Sequence, residues 1–579
     1  MRHIPILSLI ALAVTGCATV SHEPALADGP GVDGAGVDGP GFAGAVSAAD
    51  PRAQAAGEEM LRLGGSATDA AIATMLALTV VEPQSSGIGG GGLLVRGTED
   101  GAVTTYDGRE TAPAGATPQW FLNADGTLPP FIASVRSGLS VGVPGNIALA
   151  AKAHADHGRL PWATLFGPAI RLARAGYAIN SRLNAALASS KDRAGFSETG
   201  RALFYDAEGK PRPVGAVVVN EALARTFEAI AAAGPDAFYR GTLGEQIAAT
   251  VAADTPRDAP MTAADVAGYQ AKRREAVCGS YRKYRICSMG PPTSGGVAVL
   301  QILGQLERFD LTALGAQNPV TWHLFLESQR LAYADRELYL GDSDFVSVPL
   351  RGLLDRSYIA RRSALIDPDS SMTAVVAGVP EGAPQARADG DEPEEHGTTH
   401  FAVVGPDLTM VSYTSTIEGA FGSGLMVGGF FLNNELTDFS RSPEAGGRPV
   451  ANRVEGGKRP RSSMAPTLVW DPQGRPFLAI GAAGGATIPV QTARSIIGAI
   501  DFGLPAEQAL GLPFVMAFGN SVLLEQGTWL EGAADALRAL GHTELVLREA
   551  PVKAGAVLRG ARGWQSARDP RLKGQLDTP

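Results

Sequence analysis

The most constraining feature of this sequence is a change of pattern at Thr398. Before it, residues 50–81 and the Ala-rich residues 143–260 carry apolar side chains at helical spacing. After it, short apolar runs such as THFAVV, APTLVW and PFLAIGAAGG are typical of buried strands. Residues 366–397, which separate the two parts, lose apolar periodicity and end in the acidic stretch DGDEPEEHG, which predicts a solvated loop. Helices arranged around a late group of strands predict a layered α/β/α sandwich.

Composition narrows the class of protein. The chain has 579 residues, 45% hydrophobic and 19% charged, which is an ordinary globular balance. Its length alone predicts three or four domains. The net charge of −10 and the absence of a basic stripe argue against a nucleic-acid partner. No apolar run is long enough to span a membrane as a helix.

The N-terminus has the pattern of an export signal. The positive Met1–His3 precedes the apolar run IPILSLIALAV, and LAVTGC then resembles a bacterial lipobox ending at Cys17. We therefore expect residues 1–17 to be a lipoprotein signal peptide, with Cys17 lipidated as the mature N-terminus, and residues 18–45 to be a Gly-rich tether. Ala18 favours the outer membrane, so we expect a periplasmic, lipid-anchored protein. The alternative is an ordinary signal peptide with an incidental cysteine.

The other two cysteines, Cys278 and Cys287, flank the sequence GSYRKYRI. A two-residue turn at Arg282-Lys283 would place them directly opposite each other in a hairpin, within reach of a disulfide. An oxidising periplasm favours that bond. Two free buried thiols are the alternative, and the spacing does not match a zinc motif; we predict no metal site and no cofactor.

Two glycine motifs match the sequence patterns of catalytic loops, but the strands and helices predicted around them do not fit those loops. Residues 87–92, GIGGGG, satisfy a dinucleotide-binding pattern, but they follow a helix and open a strand, the reverse of what that site needs. Residues 138–142, GLSVG, satisfy the nucleophile-elbow pattern around Ser140, but residues 141–144 intervene before a helix can begin. We interpret the first as a tight turn and keep a serine esterase as a remote alternative.

The sequence EEHGTTHF suggests a different chemistry. If the bond between Gly397 and Thr398 were cut, Thr398 would carry both a hydroxyl and a free α-amine. An α-amine with an ordinary pKa near 7.7 to 8.0 can accept the hydroxyl proton and activate the nucleophile. Such a device needs a mobile peptide before it, a rigid strand beneath it and nearby oxyanion donors, here the acidic loop, THFAVV and Gly484-Gly485.

Ten ordered motifs resemble the γ-glutamyltransferase (γ-glutamyltranspeptidase) family of N-terminal nucleophile hydrolases, and the resemblance spans about residues 46 to 575. They are GEEMLRLGGSATDAAIATMLALTVVEPQSSGIGGGG, YDGRETAP, SVGVPG, YRKYRICSMGPPTSGG, RLAYADRELYLGD, TTHFAVV, FGSG, LNNELTDFS, KRPRSSMAPT and GAAGG. The resemblance implies a four-layer αββα sandwich. It also implies self-cleavage into a large subunit, 46–397, and a small catalytic subunit, 398–579.

The resemblance also implies roles for individual residues, each taken from a matching motif. Thr398 matches the nucleophile, and Thr416 matches the threonine that orients its new amine. The predicted donor-binding residues are Arg109, Ser462 and Ser463 for the α-carboxylate, and Glu435 and Asp438 for the α-ammonium. Gly484 and Gly485 match the oxyanion-hole amides.

Two departures from the family pattern bear on substrate preference. Glu418 stands where many members have an asparagine, and its carboxylate would repel the donor's α-carboxylate or shift the pKa of the Thr398 amine. The lid segment between Ser440 and Ser462 is short and lacks an aromatic residue. A more open site would admit water or larger donors.

We therefore expect an autoprocessed γ-glutamyltransferase/hydrolase. It would transfer the γ-glutamyl group of glutathione-like donors to water or to amino acid or peptide amines, through an acyl-enzyme on Thr398. A cephalosporin (glutaryl) acylase of the same superfamily is the alternative, and Asp438 with Glu435 argues against it. A non-catalytic surface lipoprotein is a remote alternative.

Overall fold

A computed structural model describes residues 44–384, 387–388, 397–551 and 553–576. Cys17, most of the expected tether and the acidic stretch 389–396 lie outside the described residues. Within them, two six-stranded sheets stack face to face, and their strands contact each other across the interface. Large apolar side chains fill the space between the layers, as the buried Trp470 of one sheet and Phe401 of the other illustrate.

Twelve strands form the two sheets, numbered here in chain order. They are β1 (Ala45–Ala48), β2 (Gly91–Gly97), β3 (Val103–Gly108), β4 (Lys272–Arg274), β5 (Ala276–Tyr281), β6 (Tyr284–Met289), β7 (Thr399–Val404), β8 (Met410–Thr416), β9 (Thr467–Trp470), β10 (Pro476–Ala483), β11 (Lys553–Gly560) and β12 (Gly563–Arg568). The first sheet has the order β1-β7-β8-β2-β3-β4 and the second β12-β11-β10-β9-β6-β5. Every pairing within them is antiparallel.

Helices cover the outer face of each sheet. On the first sheet lie α1 (Pro51–Arg62), α2 (Ala67–Val81) and α3 (Asn146–His157). On the second lie α4 (Gly295–Leu306), against which α5 (Pro319–Tyr339) packs, α6 (Ile488–Ile500) and α7 (Ala506–Gly511). Every residue of α2 is buried, as expected for a helix beneath further layers. The four layers are therefore α, β, β and α, which confirms the predicted sandwich.

The remaining elements are peripheral to this core. Short helices are Phe131–Val135, Gly167–Ala175, Ser181–Ser189, Lys191–Ala194, Glu198–Phe204, Glu221–Ala233, Asp236–Tyr239, Thr242–Ala253, Ala263–Ala267, Leu311–Leu314, Leu350–Leu353, Arg356–Ser363 and Leu530–Ala539. Further strands are Tyr177–Ala178, Val217–Val218, Met426–Val427, Phe430–Phe431, Glu444–Ala445, Arg448–Pro449, Val515–Phe518, Ser521–Glu525 and Glu544–Arg548. Among the described residues, no helix combines the length and apolar character required to cross a bilayer.

The expectation of three or four domains is wrong. The described residues, from Gly44 onward, belong to one compact unit. The reason lies in the strand order: β7 and β8, which follow Thr398, are inserted between β1 and β2, which come from the beginning of the chain. The two predicted subunits share both sheets, so a cut before Thr398 would leave them interleaved.

The hairpin of β5 and β6 has the predicted register. Cys278 lies opposite Cys287, with their Cα atoms 4.1 Å apart, and the structure joins them in a disulfide. Arg282 and Lys283 at the turn both have positive φ, of 49° and 69°, as a tight two-residue hairpin turn requires. Neither cysteine lies at the candidate site described next.

Candidate active site

Thr398 lies directly before β7, at the end of the interface between the two sheets. Its hydroxyl oxygen is 3.0 Å from that of Thr416, the last residue of the neighbouring strand β8. The Thr416 hydroxyl also accepts a hydrogen bond of 2.8 Å from the backbone N–H of Glu418. Antiparallel pairing of β7 with β8 explains how two threonines eighteen positions apart meet. Both side chains are buried, which protects the pair from bulk water.

The backbone at Thr398 is strained. Its φ is +79°, a left-handed conformation that is costly for a β-branched residue, by about 1–3 kcal/mol. The preceding Gly397 packs so tightly that a Cβ there would lie 1.5 Å from the carbonyl oxygen of Glu418. The strain and the close approach occur on the two sides of a single peptide bond, the predicted scissile bond.

Arg109 is a buried cation of the site, and Arg330, Arg336 and Arg461 also line the cavity. It directly follows β3 and is fully buried, with its guanidinium paired to both Glu435 and Asp438. Backbone carbonyls complete the shell: Nε donates to Pro460 at 3.2 Å and Nη2 donates to Arg461 at 3.1 Å. Burial acts to lower the pKa of Arg109, and the neighbouring carboxylates, Asp438 foremost, outweigh it and raise that pKa. Arg109 is thus a fixed, permanent charge.

The two acids around Arg109 occupy different positions. Asp438 is 24% exposed at its side chain and lines the cavity, whereas Glu435 is fully buried behind Arg109. Asp438 is therefore placed to face a ligand, and Glu435 to hold the guanidinium. Glu418 also lines the cavity, and single oxygens of Glu418, Glu435 and Asp438 lie within 4.8 Å of one another. The carboxylates of Glu418 and Asp438 beside the Arg109 guanidinium allow this end of the cavity to bind a group of either charge.

The two serines of the RSSM motif also differ. The Ser463 hydroxyl lies on the cavity wall and accepts a hydrogen bond of 2.7 Å from Nη2 of Arg336 on α5. The buried Ser462 hydroxyl accepts from the backbone N–H of Met464 at 3.1 Å and turns the chain there. Its carbonyl accepts from the hydroxyl of Ser294 at 2.7 Å, which ties the motif to the start of α4.

Gly484 and Gly485 form the turn between β10 and α6. Both have positive φ, 123° and 56°, and a Cβ at Gly484 would meet the Thr487 hydroxyl at 2.7 Å. Gly485 lines the cavity, next to Ala486, whose carbonyl accepts from the Tyr333 hydroxyl. A glycine turn at a helix N-terminus presents backbone N–H groups, the donors that an oxyanion requires.

One cavity of about 640 Å³ connects these groups. Thr398, Thr416, Arg109, Asp438, Glu418, Ser463 and Gly485 all line it. Beyond the glycine turn it continues along α5 and past Val376 and Phe518. Most of the sequence-predicted residues therefore line one cavity, whereas Glu435, Ser462 and Gly484 adjoin its lining residues without lining it themselves.

Sequence reasoning missed a buried ionic cluster beneath Thr398. Nζ of Lys553, the first residue of β11, donates to Glu82 Oε2 at 2.8 Å and to the carbonyl oxygen of Thr398 at 3.3 Å. Arg182 donates to the other oxygen of Glu82 at 2.8 Å. The Thr399 hydroxyl donates to Glu82 as well, at 2.9 Å. No local pattern in the sequence connects residues so far apart.

The two other motifs serve the fold. The Ser140 hydroxyl is buried and donates to the carbonyls of Val135 and Ser137 at 2.7 and 2.9 Å, which disfavours a nucleophilic role. In the glycine loop, a Cβ at Gly90 would lie 2.0 Å from the Thr416 carbonyl oxygen, so the loop packs directly under the site. His400 is buried between the sheets, and burial lowers its pKa to about 3.

Comparisons with known proteins identify the family to which this chain belongs. A family model described as Gamma-glutamyltranspeptidase matches residues 53–578. The chain belongs to the gamma-glutamyltranspeptidase family. It is therefore an enzyme of the N-terminal nucleophile hydrolase type, in agreement with the resemblance seen in its motifs.

Individual relatives extend this finding. The chain is 37% identical to the "Glutathione hydrolase proenzyme" of Bacillus subtilis (strain 168) over 510 residues, which cover 86% of this chain and 85% of the relative. It is 33% identical to the "Acylase ACY 1 proenzyme" of Pseudomonas sp. (strain SE83), with 89% and 91% covered. The crystal structure of a cephalosporin acylase from Bacillus halodurans superimposes with a TM-score of 0.79 at 26% identity, covering 92% and 95%. Proteins similar to this chain are therefore named both as glutathione hydrolases and as acylases.

Proposed function

We propose that this protein is an autoprocessed γ-glutamyltransferase/hydrolase that acts on glutathione-like donors. The observation that carries the proposal is the shared cavity, in which the Thr398–Thr416 hydroxyl pair and the Arg109–Asp438 ion pair both lie. The threonine pair supplies the nucleophile, and the Arg109–Asp438 pair can bind the two opposite charges of a γ-glutamyl donor. The glutathione hydrolase proenzymes among its relatives support the same reading.

Self-cleavage is the first step of the proposed mechanism. The Thr398 hydroxyl, oriented by Thr416, attacks the carbonyl carbon of Gly397, and the Thr398 nitrogen leaves as an amine. Hydrolysis of the resulting ester releases the Gly397 carboxylate. Strain at Thr398 favours this reaction, because its φ is no longer constrained by a peptide bond once the cut is made.

The same threonine then acts on the donor. The new α-amine accepts the hydroxyl proton, and the oxygen attacks the γ-carbonyl carbon of the donor. Negative charge develops on the carbonyl oxygen, where the amides of Gly484 and Gly485 are the proposed donors. The amine passes its proton to the leaving nitrogen, and an acyl-enzyme on Thr398 remains. Water or an amino acid or peptide amine then attacks the ester by the reverse proton path.

Donor recognition follows from the charges at the other end of the cavity. The donor's α-carboxylate would pair with Arg109 and receive a hydrogen bond from Ser463, and its α-ammonium would pair with Asp438. Binding requires Arg109 to exchange part of its present ion pair for the ligand. Glu418 adds a further carboxylate, which strengthens binding of the ammonium and weakens binding of the carboxylate.

Denaturing electrophoresis and N-terminal sequencing test the proposal. The purified protein should give two fragments, the smaller beginning with TTHF, and should hydrolyse γ-glutamyl anilides. Thr398→Ala should remain a single chain without turnover. Processing that survives this substitution would contradict the proposed nucleophile.

An acylase is the second candidate function, favoured by the likeness to the Pseudomonas acylase and the Bacillus halodurans enzyme. Asp438 discriminates between the two, because a glutaryl group lacks the α-ammonium that Asp438 would bind. Asp438→Ala should abolish turnover of γ-glutamyl substrates and spare glutaryl substrates. Equal loss on both would argue against this assignment of the pocket.

For localisation, we propose a lipid anchor at Cys17 and residence in the periplasm, held at the outer membrane. The lipobox-like LAVTGC sequence supports this proposal. Metabolic labelling with an alkyne fatty acid should mark the wild type and not Cys17→Ala. A labelled Cys17→Ala protein, or an unlabelled wild type, would contradict it.

A further inference from the structure

The proposed mechanism does not use the buried lysine beneath the nucleophile. Lys553 is 6% exposed, and its ammonium contacts Glu82 at 2.8 Å, the Thr398 carbonyl oxygen at 3.3 Å and the Ser85 hydroxyl at 3.4 Å. A charged side chain at this depth costs free energy unless it is paired, and its pairing extends to the backbone of the catalytic residue itself.

The lysine is also close to the nitrogen of Thr398. That nitrogen donates to the carbonyl of Ser85 at 2.9 Å, so Ser85 contacts both groups. The same lysine Nζ is 3.3 Å from the Thr398 carbonyl oxygen. Because the nitrogen and the carbonyl oxygen of one residue lie at most ~3.6 Å apart, Nζ lies within roughly 7 Å of the Thr398 nitrogen. Two positive charges at that separation in a buried site repel each other strongly.

Two carboxylates and two arginines determine the electrostatic environment of Lys553. Glu82 accepts its hydrogen bond, Arg182 pairs with Glu82, and Asp50, itself paired with Arg52, acts from further away. Burial, followed by repulsion from Arg182, lowers the pKa of Lys553 to about 7, against the opposing attraction of Glu82. The lysine therefore carries its positive charge on the acidic side of pH 7, the range in which repulsion opposes protonation of the α-amine. Burial acts to raise the pKa of Glu82, and Lys553 with Arg182 outweighs it and holds that pKa below its usual range.

We propose that Lys553 is a positioning residue that keeps the α-amine of mature Thr398 in its neutral, proton-accepting form. This inference rests on the proposed function, since it requires Thr398 to become the N-terminus. The proton that leaves the Thr398 hydroxyl resides on the amine for the lifetime of the tetrahedral intermediate. Repulsion from the lysine ammonium then drives that proton onward to the nitrogen of the leaving group, and no other reactant is consumed.

Lys553→Gln and Lys553→Arg separate this role from simple packing. Both disturb the cluster, but only Lys553→Arg keeps a positive charge. The acidic limb of the pH profile of kcat/KM, measured with a γ-glutamyl anilide, reports the α-amine of the free enzyme. In Lys553→Gln the limb should move to higher pH by about one unit or more. In Lys553→Arg it should stay at or below the wild-type position.

Superimposable limbs for the two variants, or an unmoved limb in Lys553→Gln, would overturn the inference. Arg494→Met is the matched control, because Arg494 is also a buried cation but donates to the carbonyl of Leu510, away from the cavity. It should lower the temperature of unfolding and leave the limb in place.

Direct titration distinguishes this inference from the proposed function. Cyanate reacts with neutral amines, so carbamoylation of the Thr398 peptide, quantified by mass spectrometry against pH, reports the pKa of the amine without any substrate. A higher midpoint in Lys553→Gln than in Lys553→Arg supports the inference even if no γ-glutamyl donor is turned over. Equal midpoints in an active enzyme overturn it and leave the proposed function standing.

Discussion

The side-chain oxygens of Thr398 and Thr416 lie 3.0 Å apart at the ends of two adjacent strands, and the Glu418 N–H donates to Thr416 at 2.8 Å. The proposed nucleophile therefore lies within hydrogen-bond distance of a hydroxyl that is itself anchored to the backbone. This chain of two hydrogen bonds leads to the first prediction.

Thr416→Val should lower kcat for γ-glutamyl hydrolysis about 10- to 100-fold, because it removes a hydrogen bond to a group that becomes charged during the reaction. It should also slow self-cleavage, since the same hydroxyl orients the attack on Gly397. Thr416→Ser, which keeps the hydroxyl, should stay within a few-fold of the wild type. Full turnover by Thr416→Val would contradict a role in orientation.

Gly397→Ala should slow or prevent self-cleavage. The added Cβ would lie 1.5 Å from the Glu418 carbonyl oxygen, so the scissile peptide must shift away from the hydroxyl that attacks it. The matched control is Gly532→Ala in the helix Leu530–Ala539, where a Cβ would meet nothing within 4 Å. The fraction of cleaved chain over time, read from denaturing gels, compares the two. Cleavage of Gly397→Ala at the wild-type rate would be evidence against this geometry.

Glu418→Asn should lower KM for a γ-glutamyl anilide, relative to KM for a 4-aminobutyryl anilide, by about 3- to 10-fold. The substitution removes one of the three carboxylates near Arg109, so the donor's α-carboxylate meets less repulsion. A 4-aminobutyryl anilide keeps the ammonium and lacks the carboxylate, so its KM should not fall. A parallel fall for both substrates would mean that Glu418 acts by another route.

Cys278→Ser combined with Cys287→Ser should destabilise the protein without changing turnover. The disulfide closes a short loop, with a sequence separation of 9, for which the chain-entropy estimate is about 2–3 kcal/mol. Neither cysteine lines the catalytic cavity, so kcat and KM should match the wild type. Thermal unfolding with and without a reductant provides the measurement; the double variant should not respond to the reductant.

Glu110 should make stability depend on pH. It is fully buried, and burial raises the pKa of its carboxyl from 4.5 to about 8, against the opposing attraction of Arg109. A raised folded pKa means that this contribution to stability is present below pH 4.5 and is lost as pH rises through 8. The free energy of unfolding of Glu110→Gln should therefore rise relative to that of the wild type between pH 5 and 8, by on the order of 1–3 kcal/mol in urea unfolding. Glu544→Gln, at an exposed position, should show no such trend.

The sequence by itself determined the local elements and the motifs. The apolar spacing of residues 50–81 correctly predicted the helical region that forms α1 and α2, and the Arg282-Lys283 turn set Cys278 opposite Cys287. These features depend on neighbours within a few positions along the chain, where backbone geometry fixes which side chains share a face. The TTHF motif after an acidic stretch gave the predicted cleavage site, but the expected late group of strands was incomplete, because β1 to β6 precede Thr398.

Only the tertiary structure decided which predicted residues line the cavity and which lie behind them. Glu435 lies behind Arg109 while Asp438 faces the cavity, although both belong to one short motif. Lys553 reaches Thr398 across 155 positions, and Glu82 reaches Lys553 across 471. The physical reason is that desolvation and pairing of charge depend on every layer packed around a group, and that packing forms only when strands from both ends of the chain join the same sheets.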